Sequence, residues 1–239
     1  MLYATLVDLY VHLERTSKRL EKTFLLAQFF AATPKEDLKH IVYLIQGRVF
    51  PAWDERKLGM SSRLLVKAIA TASGASSEKV EQVWKKEGDL GLVAEKLLEQ
   101  KKQHTLVHRK LDVQKVVDNI SKLATMEGEG TVQRKIGLIA ELLGSASPSE
   151  AKFVVRIVAE TLRTGVGDSA IRDALAWAFY PKVIGIFYRC EKCKTMNPTG
   201  NKCLSCNSPL ETVFAKEKEK HFGKDILVPT NEKEARELY

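Results

Sequence analysis

A chain of 239 residues with 44% apolar and 28% charged residues, and only 14 Gly and 7 Pro, can bury a large core and is neither collagenous nor disordered in composition. Its 38 Lys and Arg against 30 Asp and Glu leave a net charge of +8, which permits a polyanionic partner without demanding one. No run approaches the roughly 20 apolar residues of a membrane span and Asp8 interrupts the apolar start, so a mostly helical, cytoplasmic protein with no membrane partner is expected.

In chain order, a first helix is expected over residues 3–15 and a second around Leu25–Phe30. Thr33-Pro34-Lys35-Glu36 combines a capping hydroxyl, proline at the first helical position and a glutamate two residues on, so a helix starts there. Leu38, Ile41, Val42, Ile45 and Val49 then mark one face of it. Further helices are expected over 58–70, 77–86 and 90–102. Residues 101–115 hold five Lys and Arg and one Asp and open without helical periodicity, which reads as a basic linker. Beyond it, Ser147-Pro148-Ser149-Glu150 repeats the start signal, followed by Ala151, Val154, Val155, Val158 and Leu162 on one face.

These stretches correspond. Leu25–Phe30 aligns with Leu138–Leu143, and the Thr33 start with the Ser147 start, at an offset of 113 to 114 residues; residues 58–70 align with 164–176 at an offset of 106. The change of offset means seven fewer residues in the second copy. Three elements repeating in one order predict an internal duplication, with halves at about 1–100 and 113–180 joined by the linker 101–112. The expected architecture is an all-α, pseudo-twofold bundle of about a dozen helices over residues 1–180.

All four cysteines lie after it. Cys190, Cys193, Cys203 and Cys206 form two C-x2-C pairs, the spacing of two knuckles that close a tetrahedral site of four thiolates. A structural Zn2+ with no open coordination position is expected, so the metal would fold the module rather than catalyse. Residues 183–189 and 210–215 look like flanking strands, giving a zinc ribbon over 181–216, followed by a charged connector over 217–239 with a helix from about Glu232.

The duplicated feature that could do chemistry is a glycine turn opening into a helix: Arg163-Thr164-Gly165-Val166-Gly167 in the second copy and Gly59-Met60-Ser61 in the first. Helix N-termini present unpaired amides, and glycine removes the side chain that would keep a phosphate away. Gly130-Thr131, ahead of Arg134 and Lys135, offers a third such terminus. Glycines allowing positive φ in tight connections would also explain these turns. Trp53, Trp84 and Trp177 read as core or interface anchors rather than as stacking platforms, and the five histidines have no partner at ligand spacing.

The stretches 161–179, 88–98, 50–59 and 127–135 together resemble the N-terminal DNA-binding domain of archaeal-type ATP-dependent DNA ligases, over residues 1 to about 180. The resemblance implies an all-helical pseudo-twofold domain lying across the minor groove of nicked double-stranded DNA in replication and repair. Its backbone-gripping turn matches Arg163, Thr164, Gly165, Val166 and Gly167; Gly130, Thr131 and Lys135, and then Gly59 and Ser61, follow. It also implies ligase catalytic domains as partners, in cis or in trans, and leaves room for a sliding clamp. The family's adenylation lysine lies in K-x-D-G; Lys110-Leu111-Asp112-Val113 lacks the glycine, so the chain has no ATP site and is expected to be inactive alone. The ribbon is a departure from the family pattern. A zinc-ribbon adaptor that docks protein partners, with the bundle as scaffold, is the alternative reading.

Overall fold

The computed structural model describes residues 1–100, 110–179, 188–197, 202–209 and 211–212. The linker at 101–109, the connector at 217–239 with its expected final helix, and parts of both expected ribbon strands lie outside the described residues. Ten α-helices are described: α1 Tyr3–Arg15, α2 Arg19–Ala32, α3 Lys35–Ile45, α4 Ser62–Ser73, α5 Ser77–Glu87, α6 Leu90–Glu99, α7 Val113–Leu123, α8 Thr131–Ser145, α9 Pro148–Val158 and α10 Asp168–Phe179. The fold is all-α, with three two-residue strands among the cysteines: β1 Tyr188–Arg189, β2 Met196–Asn197 and β3 Glu211–Thr212. β1 pairs antiparallel with both others in the order β2-β1-β3.

The chain divides into two compact units. The first holds Met1–Val11 and Pro34–Thr164, the second His12–Thr33 and Gly165–Tyr239. In the first unit α6 packs on α9, α4 on α8 and α3 on α7. Helix α9 is its centre: every residue from Glu150 to Val158 is buried, and the Phe153 ring lies 4.8 Å from that of Tyr10. The single apolar face expected from sequence is thus buried all round, because the polar positions find partners: Arg156 pairs with Asp89, and the Lys152 ammonium lies over the Phe153 ring. Gly91 permits the α6–α9 approach, since a Cβ there would lie 2.6 Å from the Lys152 carbonyl oxygen. In the second unit α2 packs along α10.

The two start signals resolve differently. Ser147 forms a full capping box: its hydroxyl accepts from the Glu150 amide and the Glu150 carboxylate accepts from the Ser147 amide. Thr33 does not cap α3. Because α2 runs to Ala32, Thr33 closes that helix instead and its hydroxyl donates to the Phe29 carbonyl at 2.7 Å. The segments ahead of α1 and α7 exchange hydrogen bonds across the sequence: the Tyr3 amide donates to Leu111 and the Val113 amide to Met1, both at 2.9 Å, around a Leu2–Asp112 bridge. Lys110-Leu111-Asp112-Val113 is therefore a structural joint, with Leu111 buried and Asp112 capping α7.

Candidate functional site

The duplicated turns begin with the same helix exit. After α3 the Gly47 amide donates to Leu44 and the Arg48 amide to Tyr43; after α9 the Glu160 amide donates to Ile157 and the Thr161 amide to Arg156. Each donor and acceptor is separated from its counterpart by 113 residues. Both exits need a left-handed residue, which is Gly47 at φ 75° in one and Glu160 at φ 56° in the other. A buried residue follows each, Val49 and Leu162, and a second buried residue precedes each turn glycine, Leu58 and Thr164. Between these anchors the second copy has only Arg163, whereas the first has Phe50–Lys57. The seven-residue difference is located there.

The turn glycines match in conformation and in partner. Gly59 and Gly165 both have φ 63°, and at each a Cβ would lie 2.7 Å from a lysine Nζ: Lys135 for Gly59, Lys22 for Gly165. In the first unit the Lys135 ammonium donates to the Leu58 carbonyl at 2.8 Å, and in the second the Lys22 ammonium donates to the Gly165 carbonyl at 3.1 Å. Lys22 and Lys135 are themselves 113 residues apart. Burial lowers the Lys22 ammonium below its ordinary range. In sequence Lys135 and Gly59 are separate candidates; the structure brings them together and makes Lys135 a brace for the turn, with its ammonium on protein. Lys22 is a further brace whose sequence signal is the repeat offset from Lys135.

After the turns, Ser61 caps α4 by accepting from the Leu64 amide, while Gly167 precedes α10 and its carbonyl accepts from Ala170 and Ile171. Gly167 meets nothing within 4 Å where a Cβ would project. Gly165 and Gly167 are exposed, Val166 is half-buried and Thr164 is buried. Gly130 enters α8 at φ 73°, the Thr131 hydroxyl donates to the Gly128 carbonyl, and the Arg134 guanidinium folds back onto the Glu127 carbonyl at 2.7 Å.

Arg163 adopts φ 56°, a left-handed conformation unusual for a residue with a side chain, and its side chain is 60% exposed. One guanidinium nitrogen lies 3.3 Å from the buried Asp89 carboxylate, which also pairs with Arg156 at 3.2 Å and caps α6 through the Leu92 amide. Burial alone would raise the Asp89 carboxyl; the Arg156 hydrogen bonds, the Leu92 amide and the charges of Arg156 and Arg163 overcome it and hold the carboxyl below its ordinary range. Asp89 thus tethers an arginine whose other face is open to solvent.

Of the three tryptophans, Trp84 and Trp177 are half-buried. Trp53 is 82% exposed, which excludes the core and leaves the interface half of the expectation for that residue.

The cysteines converge. Their sulfurs all lie within 4.8 Å of one another, with Cys190–Cys206 at 3.3 Å and Cys193–Cys203 at 3.4 Å. Zinc–sulfur bonds of about 2.3 Å define a tetrahedron with edges of about 3.8 Å, which these spacings bracket. The two knuckles are copies: the Lys194 amide donates to Cys190 and the Asn207 amide to Cys203, both at 2.8 Å, and Lys194 and Asn207 both have φ 57°. Burial would raise the Cys203 thiol, but the amides of Cys206 and Ser205 and the neighbouring thiols lower it to about 6; Cys206 is lowered chiefly by its hydrogen bond to Ser208. The Cys193 amide would lower the Cys190 thiol, but burial and the Cys206 and Cys193 thiols push it up to about 11. It is the convergence of four thiols on two matching knuckles that forms a donor set fitting a tetrahedral Zn2+.

A family described as DNA ligase N terminus matches residues 2–176, ending before the cysteines. Among individual proteins, the chain is 41% identical over 179 residues to a DNA ligase of Methanothermobacter thermautotrophicus, covering 75% of this chain and 32% of that relative. It is 42% identical over 180 residues to a DNA ligase of Methanopyrus kandleri, covering 75% and 32%. A DNA ligase of Nitrosopumilus maritimus matches at 39% over 179 residues, covering 75% and 30%. The chain spans about a third of the length of these relatives.

Proposed function

Because the chain belongs to the DNA ligase N-terminus family, we propose that it is the duplex-binding part of an ATP-dependent DNA ligase, gripping nicked DNA through its sugar-phosphate backbones in replication and repair. The observation that carries this reading is the duplicated glycine turn, held in one conformation by a lysine brace in each unit and opening each time into a helix N-terminus. Exposed amides at such a terminus suit a phosphate oxygen, and the absent side chain at Gly167 leaves room for close approach. Arg163, tethered from behind by Asp89, supplies a charge beside the second turn. Two related halves, about 1–100 and 113–180, suit two backbones. Contacts of this kind position the protein without reading sequence.

Adenylation chemistry is assigned to catalytic domains acting with this one in cis or in trans, since the chain has no K-x-D-G motif. Cys190, Cys193, Cys203 and Cys206 would hold a structural Zn2+ that ties the two knuckles of the ribbon together; a sliding clamp is a further partner compatible with this assignment.

The test is a fluorescence-anisotropy titration of the whole chain against nicked duplexes of two unrelated sequences at several salt concentrations. Equal affinity for both is expected, falling with about the 0.9 power of salt for each phosphate neutralised. Absence of binding, or binding confined to one sequence, overturns the proposal.

A further inference from the structure

Between the matched helix exit and the turn glycine the two copies differ in length. Where the second has Arg163 alone between buried Leu162 and Thr164, the first has eight residues, Phe50–Lys57, between buried Val49 and Leu58. They form a finger braced by its own contacts. Asp54 closes a turn by donating its amide to the Pro51 carbonyl at 3.0 Å. The Arg56 guanidinium then grips both Asp54 carboxylate oxygens, with its Nε at 3.0 and 3.1 Å, and lies over the Phe50 ring at 3.9 Å. Inside that turn stands Trp53, 82% exposed and the most exposed large apolar side chain among the described residues.

An indole left in water on a braced turn gains little for the fold. The same indole is a preorganised contact, because few degrees of freedom remain to be lost when a partner covers it. The finger leads directly through Leu58 into Gly59 and the Ser61-capped start of α4, the turn assigned above to a phosphate. Its position in the repeat is that of Arg163, a residue assigned to the same partner. The segment Arg48–Arg63 carries four Arg and Lys against two acidic residues, one of them neutralised by Arg56.

We propose that the Phe50–Lys57 finger is a second DNA contact of a different kind, placing the Trp53 indole against the sugars and base edges beside the phosphate held at the Gly59 turn. This rests on the duplex-binding reading. The contact would be apolar, packing the indole on deoxyribose and groove-edge atoms that every base pair presents, and so tolerant of sequence; it would belong to the first copy only.

Nicked-duplex affinity of the whole chain is measured for wild type, Trp53→Ala and Trp53→Phe, with thermal melting of each and tryptophan emission during titration. The expected result is unchanged melting for both variants and a loss of at least about fivefold for Trp53→Ala. Trp53→Phe should recover most of that loss, and an emission change on DNA should be present in wild type and absent from Trp53→Phe. If wild type and Trp53→Ala bind DNA alike, the proposal is overturned, including the case in which the finger docks a protein. If wild type itself does not bind, the duplex-binding reading has failed and takes the finger with it. Should Trp53→Ala melt lower, the emission comparison decides alone: an equal change in wild type and Trp53→Phe overturns the contact.

Discussion

The Lys135 ammonium donates to the Leu58 carbonyl at 2.8 Å from a side chain that is almost wholly buried. The bond joins the start of α8 to the residue before Gly59, so the glycine's conformation and the lysine's position are one arrangement. Replacing Lys135 with Met strands the Leu58 carbonyl beneath an apolar chain. A loss of about 1–3 kcal/mol in unfolding free energy is expected, measured by chemical denaturation.

The two glycines of the second turn should separate folding from binding. Gly165→Ala meets both the positive φ and the Lys22 ammonium 2.7 Å from the new carbon, so it should lower stability by about 1 kcal/mol or more as well as affinity. Gly167→Ala meets nothing in the protein, so it should melt like wild type yet bind nicked duplex several-fold more weakly. Equal affinity of Gly167→Ala and wild type would count against a phosphate at that turn.

Arg163→Ala should weaken binding to all duplexes alike and reduce the slope of log affinity against log salt by about 1. Its guanidinium is exposed and Asp89 keeps the closer, buried Arg156 partner, so melting should move little. Anisotropy at four salt concentrations resolves both effects.

Asp89 itself is a stability residue. Its carboxyl is held below the ordinary value of 3.8, so its contribution is complete above that pH and is lost as the pH falls through the lower folded-state value. Asp89→Asn leaves Arg156 buried without its charge partner and should cost about 3–5 kcal/mol at neutral pH. Unfolding free energies of the two proteins should converge on acidification, and a constant gap down to pH 2 would contradict the assignment.

One zinc per chain is expected by metal analysis, and Cys203→Ser should abolish tight binding. Chelation should unfold the cysteine module while leaving the far-ultraviolet helix signal nearly intact, because α1 to α10 contain none of the ligands.

Much of this was legible in sequence for physical reasons that act locally. Proline at the first turn with Ser147 before it and Glu150 after it favours the capping box found there, and the C-x2-C spacing favours a knuckle. The duplication was legible because equal burial demands equal spacing of apolar residues. Thr33 misled because a hydroxyl can bond backward as easily as forward, and only the length of α2 decides. Lys22 and Lys135 were illegible as braces, since a buried ammonium depends on a carbonyl distant in sequence. Sequence leaves Trp53 as either a core or an interface anchor, because an indole serves both, and only its 82% exposure excludes the core.

Eight residues of the first copy stand where the second has a lone arginine between the same buried anchors. The two turns are therefore chemically unlike although their glycines share one conformation, so matched substitutions at Gly59 and Gly165 need not have matched effects.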